Sequence, residues 1–166
     1  MSHEELLRDI GAPARLITHG ALVCEAADEL LTALARLNVP VDEAWVRAGA
    51  WLHDAGKTIH PKELSEPGHE HEHAGEKLLL GRGVEPRIAR CCVSHASWSA
   101  ECALEELLVA LADKLWKGVR KESLEALVCD AIASKTGRER WAVFADLDAC
   151  FEAIAEGGDA RLDRSR

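Results

Sequence analysis

The chain contains no tyrosine, one methionine and two phenylalanines in 166 residues, so aromatic packing falls largely to five tryptophans. It has no C-x-x-C pair among Cys24, Cys91, Cys92, Cys102, Cys129 and Cys150. Neither a disulfide framework nor a cysteine zinc site therefore has motif support. Most of these cysteines lie among apolar neighbours and read as buried, reduced thiols of a cytoplasmic protein. There is no excess of basic residues: 20 Lys and Arg face 29 Asp and Glu, a net charge of −9. That balance argues against a nucleic-acid polymer as partner, which needs a basic footprint. It leaves room for small anionic substrates held through a cation. No apolar run approaches the roughly 18 residues of a membrane span, so no membrane partner is expected. The opening Met1-Ser2-His3-Glu4-Glu5 lacks the basic-then-apolar pattern of a signal peptide. Internal repeats, low-complexity tracts and long alternating runs are also missing.

What is present is helical periodicity. Hydrophobic residues make up 48% and charged residues 30%, the balance of a globular domain, and the length suits one domain with a sizeable core. Leu16, Val23, Leu30, Leu34 and Leu37 share one face of a helix from about Pro13 to Leu37. Asp42 caps a second, whose stripe of Trp45, Ala48, Gly49 and Leu52 leads to a stop at Gly56, where positive φ would suit a helix end. Residues 58–68 read as a loop. Further helices are expected from near His71 to Gly81, from Pro86 to about Ala96, from 102 to about 118, from Glu122 to Lys135 and from Glu139 to Glu156. The expectation is an all-α, single-domain bundle of about seven helices over residues 13–157. Residues 1–12 form a lead-in and 158–166 a polar, frayed tail.

Several residues look expensive in these positions. His53 and Asp54 are the last side chains before the stop at Gly56, a nitrogen and an anionic oxygen ligand at the end of a rigid apolar segment. Asp113 interrupts Leu107-Leu108-Val109-Ala110-Leu111-Ala112, a helix apolar on nearly all sides. A buried carboxylate there needs a proton, an ion-pair partner such as Lys114 or Lys117, or a bound cation. His19 lies on the core-facing side of the first helix beside Gly20, which costs helix stability of order 1 kcal/mol against Ala and allows close approach of another group. Taken alone, it reads as a core histidine bonded to a carbonyl. His69, His71 and His73 alternate with glutamates, and at least one of them is a bystander. His95 ends an apolar helix. Trp45, Trp51, Trp116 and Trp141 fall at core spacings and read as packing, whereas Trp98, just after His95, is the tryptophan expected to line a pocket.

Together, His19, His53-Asp54, His71, His95 and Asp113 follow an order that resembles the HD superfamily of metal-dependent phosphohydrolases. His53-Asp54-Ala55-Gly56-Lys57 is similar to its HD-x-G-K signature. His71-Glu72-His73-Ala74-Gly75 is similar to its H-x-x-x-G segment, and Leu111-Ala112-Asp113-Lys114 to its late L-A-D segment. The resemblance covers about residues 15–120. Chains with the family's GYP extension differ from this one, which looks more like small stand-alone members, including the YqeK-like dinucleotide hydrolases.

The resemblance implies His19, His53, Asp54, His71, His95 and Asp113 as metal ligands. His71 is favoured over His73 by its spacing to Gly75. Imidazoles and carboxylates without thiolate suit one or two divalent ions of Mn, Fe, Co, Ni or Zn. With two ions, Asp54 would bridge and His71 and His95 would hold the second. The implied activity is hydrolysis of a phosphate ester or anhydride of a small molecule, a nucleotide above all, by metal-activated hydroxide, with His53 and Asp54 at its catalytic centre. Lys57, Lys114, Lys117 and Trp98 are candidate substrate contacts. The competing expectation is an HD-like module that binds a metal or nucleotide without turnover.

Overall fold

The computed structural model describes residues 1–166. The three-and-four spacing of apolar residues produces helices α1 (His3–Asp9), α2 (Ala14–Arg36), α3 (Glu43–Leu52), α4 (Glu70–Gly81), α5 (Pro86–Ala89), α6 (Cys91–Ser94), α7 (Leu104–Leu115), α8 (Glu122–Thr136), α9 (Arg140–Glu156) and α10 (Gly158–Arg164). Two 3-10 turns, Ala55–Thr58 and Pro61–Leu64, join α3 to α4, and the architecture is all-α. No helix is long and apolar enough to cross a membrane.

The long α2 packs on α3, α7 and α9. Leu30 and Leu34 of α2 and Leu107, Leu108 and Leu111 of α7 are removed from water in the main core, each such side chain being worth roughly 1.5–3 kcal/mol. A smaller cluster of Leu7, Ile17, Leu52, Ala55, Leu79, Ala89 and Cys92 lies beside it. The end of α3 therefore lies between two apolar clusters. All six cysteines are free, four of them buried.

Glycines set how closely the site-bearing elements approach. Gly56 does not take positive φ; its role differs from that of a helix-ending glycine. A Cβ at Gly56 would overlap the His71 carbonyl oxygen and lie 2.6 Å from Gly75 N, and one at Gly75 would lie 2.9 Å from Gly56 N. The turn after Asp54 thus rests backbone to backbone on α4. A Cβ at Gly20 would come within 2.8 Å of the Trp51 carbonyl, which fixes α2 against α3 just beside His19.

Other expectations need correction. The lead-in contains α1, whose N-terminus is closed by a capping box: Glu5 N donates to Ser2 Oγ (3.1 Å) and Ser2 N to Glu5 Oε2 (2.6 Å). The Ser2-x-x-Glu5 pattern carried that signal. The segment from Pro86 is two short helices; Arg90 between them keeps helical dihedrals, so the break lies in the hydrogen-bond ladder. The tail is helical because Arg161 is buried, donating to Ile154 O (2.7 Å), Trp116 O (3.3 Å) and Glu29 Oε2 (2.5 Å). An element held by one buried guanidinium has no apolar stripe for periodicity to detect. Trp141, read as core, is 73% exposed on the outer face of α9.

Gly56→Ala should cost at least the upper end of the roughly 1–3 kcal/mol typical of overpacking, because backbone atoms cannot swing aside. Gly81→Ala is the contrast: nothing lies within 4 Å of the added Cβ, and helix propensity should raise stability by roughly 0.5–1 kcal/mol. Urea unfolding of both variants checks the pair, and equal small effects would refute the backbone contact.

Candidate metal centre

Five elements deliver six side chains to one place. His19 comes from the second turn of α2, His53 from the C-cap of α3 with Asp54 next to it, His71 from the first turn of α4, His95 from the C-cap of α6 and Asp113 from the last turn of α7. Asp54 is the shared member. Its Oδ2 lies 3.2 Å from His19 Nε2 and 3.7 Å from His53 Nε2, while its Oδ1 lies 3.3 Å from His71 Nε2 and 3.4 Å from His95 Nε2. Asp113 Oδ1 lies 3.2 Å from His53 Nε2 and 3.5 Å from His19 Nε2. No lysine or arginine forms an ion pair with Asp113; the groups against its carboxylate are these histidines, not Lys114 or Lys117.

The outer nitrogens decide what the inner ones can do. His53 Nδ1 donates to Ala50 O (2.8 Å), His95 Nδ1 to Cys91 O (3.0 Å) and His71 Nδ1 to Glu63 Oε1 (2.7 Å). A neutral imidazole carries one proton, so with Nδ1 donating, Nε2 offers a lone pair. Three lone pairs then face carboxylate oxygens, acceptor against acceptor. The clearest instance is His71 Nε2, which is buried with no hydrogen-bond partner although Asp54 Oδ1 is within reach. A bound cation, or a proton on an inner nitrogen, relieves the arrangement. The sets His19-His53-Asp54, His53-His95-Asp113 and Asp54-His71-His95 each converge closely enough to hold one metal ion. No thiol joins them: Cys92 Sγ donates instead to Leu52 O (3.4 Å).

Electrostatics point the same way. Burial opposes ionisation of Asp54, but the imidazoles of His53, His19 and His71 around it outweigh burial and hold the carboxyl well below its usual range. Asp113 behaves alike, burial being outweighed by His53 and His19. Burial lowers the His19 pKa, yet its hydrogen bonds to Asp113 and Asp54 prevail and raise it to about 9. Burial, helped by His53, pushes His95 down. A proton on His19 is thus the cation that the cluster holds when nothing stronger is supplied.

Of the remaining candidates, His73 is exposed on the outer side of α4. Lys57 belongs to the site: its Nζ lies 2.9 Å from Asp54 Oδ2. It shares a cavity of about 260 Å³ with Arg15, Leu16, His19, Asp54, Leu64, Trp116, Leu162 and Ser165. Lys114, Lys117 and Trp98 do not line that cavity; the Lys114 ammonium sits 5.8 Å above the Trp98 ring, which packs on the main core. The tryptophan at the site is Trp116, edge-on to His19 with centroids 5.0 Å apart. Its place one helical turn after Asp113 could have marked it. Glu63, which orients His71, had no such signal, because it lies in a stretch without periodicity.

The HD domain family model matches residues 16–118, and the chain belongs to that family. No curated protein and no solved structure matches it. HD-domain proteins are in general metal-dependent hydrolases that typically bind divalent metals, and the His and Asp groups gathered here could hold such an ion.

In protein stripped by chelator, His19 binds its proton more tightly folded than unfolded. The stability this contributes is complete below pH 6.5 and is lost as pH rises through about 9; His71, also raised, acts in the same sense. The melting temperature in chelator should therefore fall across this window. Asp113→Asn, which removes one of the carboxylates that raise His19, should shrink the fall. Melts at stepped pH check both, and identical wild-type and Asn slopes would contradict the coupling.

Proposed function

We propose that the chain is a metal-dependent phosphohydrolase acting on a small phosphorylated molecule, with nucleotides the favoured class. The observation that supports it best is the facing of three lone-pair nitrogens against the two carboxylates, with His71 Nε2 left without a partner. His19, His53, Asp54 and Asp113 would hold one ion, and Asp54, His71 and His95 a second, with Asp54 common to both sets. The donor set of imidazole and carboxylate fits Mn, Fe, Co, Ni or Zn. A divalent ion bound there supplies an activated water and neutralises charge on phosphoryl oxygens.

The protein's own groups do the rest. Glu63 and the carbonyls of Ala50 and Cys91 fix the imidazole tautomers before any ligand arrives. Lys57 contributes a positive charge inside the cavity, beside the position a phosphoryl oxygen would take. Trp116 and Leu16 form the apolar part of the cavity wall beside His19. The free cysteines are consistent with a cytoplasmic setting.

Protein purified without chelator should contain one or two divalent transition-metal ions per chain and hydrolyse simple phosphate esters. His71→Ala should lose metal and lower kcat/KM by at least about 100-fold, the scale set by weaker perturbations of metal sites, while His73→Ala retains both. Elemental analysis with an ester screen is the test. Metal bound without turnover on any ester would leave a binding module, and loss of metal only in the His73 variant would overturn the ligand set.

A further inference from the structure

Segments outside the matched family region reach the cavity at the metal centre. Arg15 precedes the match by one residue, and Leu162 and Ser165 follow it by more than forty. Arg15 and Ser165 also wall a second recess of about 570 Å³, completed by Ala14, Thr18, Arg164 and Arg166. No acidic side chain lines this second recess. Arg164 is held by Glu25 at 2.6 Å and Arg166 by Asp163 at 3.5 Å, whereas Arg15 is exposed and forms no ion pair. The wall that faces Arg15 is firmly placed, because the buried Arg161 ties α10 to the Trp116 carbonyl and to α9.

One recess thus ends at the imidazole-carboxylate cluster, the next is basic, and an unpaired guanidinium stands between them. A guanidinium free of carboxylates and open to two recesses is suited to bidentate binding of phosphate oxygens. We infer that Arg15 binds a second phosphoryl group, adjacent to the one at the metal centre, so that the site selects substrates carrying at least two phosphoryl groups over simple monoesters. This rests on the phosphohydrolase reading only for the group at the metal centre; the Arg15 subsite is a matter of binding.

The test uses hydrolysis-resistant probes on the Mn-loaded full chain, so that its result is independent of turnover. Calorimetry should show methylenediphosphonate binding at least about tenfold tighter than methylphosphonate, a factor in keeping with hydrogen bonds to charged groups. Arg15→Ala should abolish most of that preference with metal content unchanged. Arg15→Lys should keep part of it, and Arg140→Ala, whose guanidinium pairs with Asp130 and lines neither recess, should keep all of it. The inference is overturned if wild type shows no preference, or if Arg15→Ala preserves the preference or weakens both probes equally. A preference that depends on Arg15 in a protein that hydrolyses no ester would sink the catalytic reading and leave the subsite standing. Ester hydrolysis with a preference indifferent to Arg15 would do the reverse.

Discussion

Asp54 has one carboxylate and three histidines within reach of it at 3.2–3.4 Å, His19 on one oxygen and His71 and His95 on the other. Meeting that constraint requires three separate helical elements to end or pass within a few ångströms of the residue after α3. The glycine contacts follow from it. Gly20 lets α2 settle on the Trp51 carbonyl, so that His19 arrives from one side. Gly56 and Gly75 let the turn after Asp54 rest on α4, so that His71 arrives from the other. Side chains at these points would separate the elements by about a methyl group's thickness, and a chelating geometry tolerates displacements of only a few tenths of an ångström.

A protein with net charge −9 that buries two of its carboxylates against lone-pair nitrogens loses stability at the site. The expense is contained by where the protons sit. Nδ1 of three histidines is committed to fixed acceptors, so the inner nitrogens cannot become donors without becoming cationic. His19 alone is pushed up to about 9, and it lies nearest the cavity, beside Trp116. The same set that would bind a metal thus stores a proton in its place, at the position most open to exchange. Pre-set tautomers also mean that little reorganisation is needed when a cation enters.

The helical architecture was legible because apolar spacing records which face is buried, and buried faces are most of what holds α2, α3 and α7 together. The ordered histidines and aspartates were legible as a set, since they stand where polarity is costly, as Asp113 does in the buried last turn of α7. What escaped depends on contacts between residues distant in the chain. Nothing local to Gly56 says that its neighbour is the His71 carbonyl and that it therefore serves close approach instead of left-handed φ. Glu63 became visible only once His71 was seen to lean on it. The tryptophans show the limit of spacing alone: Trp141 fits a helical stripe yet faces solvent, while Trp116 fits the same rule and forms the wall beside His19.

The C-terminal segment carries this last point to function. Its composition is polar, and by hydropathy it belongs to solvent. One buried guanidinium reverses that: Arg161 satisfies the carbonyls of Ile154 and Trp116 and pairs with Glu29, which is enough to hold seven residues of helix in place. The carbonyl it takes belongs to the tryptophan that packs on His19. The cavity wall formed by Leu162 and Ser165 is therefore connected through Arg161 and Trp116 to the His19 imidazole. Residues of the family-matched region form the imidazole-carboxylate cluster at one end of the cavity. The other end is lined by Arg15, Leu162 and Ser165, outside the matched region, and under the phosphohydrolase reading proposed above that is where selectivity would differ between chains that share the same cluster.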